Sequence, residues 1–184
     1  WVGSNASPIT DALAEKAICT VTSLLVPSFQ GDKTIRLDVH IASTMAGLAF
    51  TQAGLGLCHA LSHSLGGQFH IPHGRLNSIL LPAVIGCNAE AAGKKYAELS
   101  RRMGLGGSGD NMAVRNLKNA LIRLRTALGL PGTLAQAGIT PQLLQQKSDE
   151  IVAATLADPC CATNPLPVTQ QLVQKILREV AGRE

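Results

Sequence analysis

A chain of 184 residues, 46% hydrophobic and with a formal charge of +4, is one domain or two small ones, long enough to bury a core. Aromatics at 3% argue against base-stacking nucleic-acid modules, and the basic residues Lys94, Lys95, Arg101, Arg102, Lys118, Arg123 and Arg125 read as a solvated face. Five cysteines with no C-x-x-C pair read as reduced thiols of a cytosolic protein, and no uninterrupted apolar run reaches membrane-spanning length.

The chain opens Trp1-Val2-Gly3-Ser4-Asn5 without Met, which suggests a fragment whose upstream part is missing. Ser7-Pro8 signals a helix start, an N-cap followed by proline at the first helical position, and Asp11 suits the first turn. This helix is expected to reach Leu25 and to end at Pro27. A second covers about 33 to 52, where Ala42, Ser43, Ala46, Gly47 and Ala49 allow close packing, and a third about 57 to 65.

The stretch from 74 to about 88 is almost wholly apolar, and its length favours a buried helix kinked at Pro82 over a short strand. Further helices are expected over 89–103, 110–128, 141–156 and 168–180. Strand alternation is nowhere convincing, so the fold class is all-α, a helical bundle over residues 1–184. The segment from Gly104 to Gly109 matches G-x-G-x-x-G formally, but it links two helices instead of following a strand and reads as a flexible loop.

Four of the five histidines lie between Gly56 and Gly74. His59 and His63 are one helical turn apart, so they share a face. Gly66-Gly67 and Pro72 then turn the chain and present His73. The alternative is packed core histidines bonded to backbone; the H-x-x-x-H pair followed by Pro72-His73-Gly74 favours a metal site. No Glu follows the first histidine as in H-E-x-x-H, and no carboxylate lies nearby in the sequence, so acidic ligands, if any, come from elsewhere. His70 reads as a surface residue or as support for the ligands, His40 as structural, and Cys58 as core.

At these residues the chain resembles the C-terminal helical domain of the iron-containing (group III) alcohol dehydrogenases. The motifs are G-L-G-L-C-H-A-L-S-H-S-L-G at 54–66 and P-H-G-R-L-N-S-I-L-L-P at 72–82, with Thr10-Asp11-Ala12-Leu13 early and Asp158-Pro159-Cys160 through Asn164-Pro165 late. Among members it is similar to the microcompartment-type propanol and ethanol dehydrogenases. The resemblance implies a cleft between this domain and an N-terminal α/β nucleotide-binding domain absent from the chain. It implies Fe(II), or Zn, held by His59 and His73 together with an Asp and a His of an upstream D-x-x-x-H stretch. The metal would polarise the alcohol oxygen as hydride leaves for NAD(P), which binds mainly to the missing domain.

The same resemblance makes His63 a catalytic, nicotinamide-facing histidine and puts Phe50 and Cys160 at the pocket of a short-chain alcohol or aldehyde. The parent enzyme is expected to be a cytoplasmic homo-oligomer, including the microcompartment interior, with no nucleic-acid or membrane partner. The 184-residue piece alone is expected to bind metal weakly and to turn over no alcohol. The competing readings are a self-contained metal module using His59, His63 and His73, and a helical DNA-binding domain, for which the chain shows no clustered basic helix.

Overall fold

The first helix, α1 (Pro8–Phe29), starts as its sequence dictates: Ser7 and Thr10 form a reciprocal capping box ahead of Pro8. The computed structural model describes residues 1–182, and these hold seven further α-helices. They are α2 (Arg36–Ala53), α3 (Leu57–Phe69), α4 (His73–Arg102), α5 (Asp110–Ala127), α6 (Pro141–Gln146), α7 (Ser148–Ala157) and α8 (Gln170–Val180). Short 3-10 segments cover Ala135–Ala137 and Pro159–Thr163, and no strand occurs among the described residues.

Several boundaries differ from expectation. Pro27 does not end α1, which continues to Phe29. A proline in the last turn removes only its own donor, and Gln30 N–H still reaches Val26 O at 2.9 Å. The two helices expected over 74–103 are one element, α4, whose only non-helical dihedrals fall at Ala92 (φ −122°, ψ 17°) and not at Pro82. The helix expected over 141–156 is two, broken at Lys147 between α6 and α7. The last helix begins at Gln170, where the Thr169 side chain accepts from Leu172 N–H.

Leu57, Leu61 and Leu65 line one face of α3 and are fully buried against Leu76, Ile79 and Leu80 of α4, with Ile151 of α7 and Val173 and Ile176 of α8 closing the cluster. The far half of α4 builds a second cluster, in which Tyr96, Ala97 and Leu99 meet Ala113, Val114 and Leu117 of α5. Thus α4 is the shared spine. The pair α1 and α2 packs mainly through buried small residues, Ala14 and Ala17 on α1 with Ala42, Ala49 and Ala53 on α2. By length and mean composition α1 is apolar enough to cross a membrane, although Asp11, Glu15 and Lys16 interrupt its apolar run. Only 17% of its most apolar window is buried.

One polar knot fixes the segment after α7 against α3. Helix α3 has no side-chain cap of its own; instead Asn164 Oδ1 accepts from Leu57 N–H at 3.1 Å and from Asn88 Nδ2 at 2.9 Å. The Asn164 amide donates in turn to Asn88 Oδ1 and Leu166 O. Asn164 is buried and its amide is fully bonded. Gly54 sits beside this knot at φ 76°, where a Cβ would collide with the Thr163 side chain.

Candidate metal centre

The leucine face of α3 leaves His59 and His63 on a neighbouring face, and the turn through His70, Ile71 and Pro72 returns the chain so that α4 opens with His73. Ring centroids of His59 and His73 are 5.1 Å apart, those of His63 and His73 5.1 Å and stacked, and those of His59 and His63 6.2 Å.

The surroundings differentiate the three rings. Burial, then the neighbouring His73 and His63, push His59 down to about 4 against the opposing pull of Asp158. His59 therefore stays neutral at pH 7. His73 is lowered too, by burial first and by His63 second. Its tautomer follows from its partners. Ser62 Oγ donates to His59 O at 3.1 Å and so accepts from His73 Nδ1–H at 3.0 Å. The Asn77 amide, whose oxygen accepts from the Cys58 thiol, donates to His73 Nε2 at 2.8 Å. Ser62 is buried, so its hydroxyl ties the His73 ring to the backbone carbonyl of His59.

His63 faces outward, and its Nδ1 lies 2.8 Å from Asp158 Oδ2, with side-chain exposures of 44% and 14%. Partial burial works to raise the Asp158 carboxyl, but hydrogen bonds from Cys160 N–H and from His63 outweigh it and hold it below the usual range. Cys160 N–H donates to Asp158 Oδ1 at 2.8 Å, so the carboxylate both opens the Pro159–Thr163 segment and serves the histidine. Burial, followed by the Asp158 carboxylate, pushes the Cys160 thiol up to about 11.

Phe50 lies elsewhere. It is 45% exposed on α2 and lines an apolar groove of about 340 Å³ with Ala46, Ala49, Ala53 and α1 residues, a groove whose lining includes neither Cys160 nor any histidine. His70 caps α3 in the left-handed region at φ 54°, and His40 is exposed on α2 with no side-chain hydrogen bond among the described residues. Cys58 is buried, as expected. Sequence reasoning missed Asp158 as a neighbour of His63; the Asp-Pro pair, an N-cap followed by proline, was the available signal.

Residues 1–181 match the family described as Fe-containing alcohol dehydrogenase family, C-terminal. The chain belongs to the iron-containing alcohol dehydrogenase family. Curated members similar to it include a 1-propanol dehydrogenase of Salmonella typhimurium, PduQ, 38% identical over 186 residues covering 98% of this chain and 50% of that one. An NADPH-dependent butanol dehydrogenase of Clostridium saccharobutylicum is 36% identical over 176 residues, 96% of this chain and 45% of its own. Among solved members, a 1,3-propanediol oxidoreductase superposes with a TM-score of 0.91 at 30% identity, covering 97% of this chain and 47% of that one. The chain spans about half the length of these relatives, and the all-helical fold is that of the family's C-terminal domain.

Proposed function

We propose that residues 1–184 form one helical domain that contributes metal-binding and substrate-facing groups to a metal-dependent, NAD(P)-linked alcohol dehydrogenase acting on short-chain primary alcohols and their aldehydes. The observation that carries this reading is the His59–His73 pair: two imidazoles held neutral, 5.1 Å apart, one of them with its tautomer set by buried Ser62. Such a donor set fits Fe(II) or Zn(II), with His73 Nε2 available in exchange for the Asn77 amide. When bound, the cation supplies Lewis acidity toward an alcohol oxygen.

The chain's own residues do the rest. His63, on the exposed side of the cluster, carries or orients the proton that the alcohol must lose; Asp158 holds its Nδ1–H and leaves Nε2 toward solvent. Cys160, beside His63 and Asp158, lines the substrate approach, whereas Phe50 faces a separate apolar groove between α1 and α2. The names of the propanol and butanol dehydrogenases support the short-chain substrate, and NADPH in one of them supports a nicotinamide cofactor. In this reading the enzyme works as a homo-oligomer in the cytoplasm or within a bacterial microcompartment.

The test uses the natural polypeptide that contains this sequence, loaded with Fe(II) or Zn(II) and assayed with 1-propanol and NAD(P). Metal-dependent turnover is expected, lost in both His59→Ala and His73→Ala together with bound metal. Turnover that survives both substitutions would overturn the assignment. The 184-residue chain alone is expected to be inactive, and stoichiometric metal uptake by it that requires His63 would instead favour a self-contained three-histidine module.

A further inference from the structure

His63, Asp158 and Cys160 each offer one ligand atom, and these atoms lie within 4.8 Å of one another. The donors are an imidazole, a carboxylate and a thiol, the set that zinc accepts and that iron or magnesium sites rarely combine. They come from two elements that are firmly tied: α3, and the Pro159–Thr163 segment that Asn164 pins to the start of α3. Asp158 is already fixed from both sides, by Cys160 N–H on Oδ1 and by His63 Nδ1 on Oδ2. His63 is the open side of the cluster, so an ion has a path to it.

We infer that His63, Asp158 and Cys160 form a second cation site, selective for thiophilic divalent ions of the zinc class and separate in its ligands from the His59–His73 pair. Three protein donors leave a fourth position open to water. Ligand atoms around one tetrahedral zinc lie about 3 to 4 Å apart, as bond lengths of about 2.0 to 2.3 Å require. Small side-chain rotations therefore close the present arrangement. Binding releases one proton, from the Cys160 thiol to solvent. The imidazole enters neutral, with its remaining N–H on whichever ring nitrogen is not bound. Occupation takes His63 out of use for proton handling, so an excess of zinc-class ions inhibits whatever reaction needs that ring. The inference concerns binding and stands independently of the dehydrogenase reading.

The experiment titrates the 184-residue chain with Cd(II) and reads the ultraviolet thiolate-to-cadmium charge-transfer band. One thiolate's worth of absorbance per chain is expected. It should vanish in Cys160→Ser, weaken in affinity by about tenfold or more in Asp158→Asn, and persist in Cys161→Ser and in the His59→Ala/His73→Ala double variant. Zn(II) should displace the cadmium. Circular dichroism of each variant reports folding, and a band retained in folded Cys161→Ser keeps the inference testable even if Cys160→Ser misfolds. No band, a band that survives in Cys160→Ser, or one lost in the His59→Ala/His73→Ala variant would overturn the inference.

Discussion

His63 Nδ1 and Asp158 Oδ2 lie 2.8 Å apart although 95 positions separate them. The pair turns an exposed imidazole into one with a fixed tautomer and a negative neighbour, as in other carboxylate–histidine pairs.

Asp158→Asn keeps the shape but replaces the carboxylate oxygen facing His63. Turnover of the natural polypeptide should fall about 10- to 100-fold with little change in KM for the alcohol. Steady-state kinetics checks this; a wild-type kcat in the variant would remove Asp158 from the reaction.

Ser62→Ala removes the hydroxyl shared by His59 and His73. Affinity for Co(II) or Zn(II) should drop about 10- to 100-fold. In the metal-free chain, nitrogen NMR should show His73 losing its preference for the Nδ1–H tautomer. Unchanged imidazole nitrogen shifts would show that Asn77 alone sets the ring.

The low value of His59 makes stability depend on pH. Its ordinary value is 6.5 and its folded value about 4, so the unfolded chain takes up a proton first as pH falls. The contribution is fully present above 6.5 and is lost progressively as pH falls toward 4. Thermal midpoints of the metal-free chain should decline over that interval, and less steeply in His59→Gln. Asp158 acts in the same sense at lower pH: its folded value lies below the ordinary 3.8, so its contribution is present above 3.8 and disappears beneath it.

Asn164→Ala leaves Leu57 N–H, the Asn88 amide and Leu166 O without their partner. Buried groups orphaned in this way cost about 1 to 3 kcal/mol each before relaxation, so a net loss of about 2 to 4 kcal/mol is expected in urea unfolding. A loss under about 1 kcal/mol would mean that water replaces the side chain.

Gly54→Ala meets two penalties, a positive φ and the Thr163 side chain. A loss of about 1 to 3 kcal/mol is expected, and adding Thr163→Ala, which removes Oγ1 and Cγ2 but keeps a Cβ 2.7 Å away, should recover only part of it. Full recovery would mean that the backbone there carries no strain.

The helices were legible because their apolar spacing and their caps agree, as at Ser7-Pro8 and along Leu57, Leu61 and Leu65. Sequence and structure part where a single residue's local preference is outweighed by its neighbours. Pro27 sits too near a helix end to stop it, and Pro82 is absorbed within α4, while the actual irregularity at Ala92 carries no sequence mark beyond the adjacent Gly93. The break at Lys147 has neither Gly nor Pro to announce it. The three clustered histidines were visible in the sequence because they lie within one turn-linked stretch. Their carboxylate neighbour was not, since its approach depends on Asn164 contacts more than a hundred residues from α3, which no periodicity records.

That long-range knot also orders the assembly of the molecule in time. The stretch from His59 to His73 closes a short loop and needs only α3 and α4 to meet, whereas Asp158 and Cys160 arrive after a loop of about a hundred residues has been closed at its full entropic cost. The imidazole cluster is therefore expected to form early in folding and its carboxylate neighbour late. On unfolding the order reverses: amides of the Pro159–Thr163 segment should exchange with solvent before those of α3, so the site comes apart from its carboxylate side while its histidines are still in place.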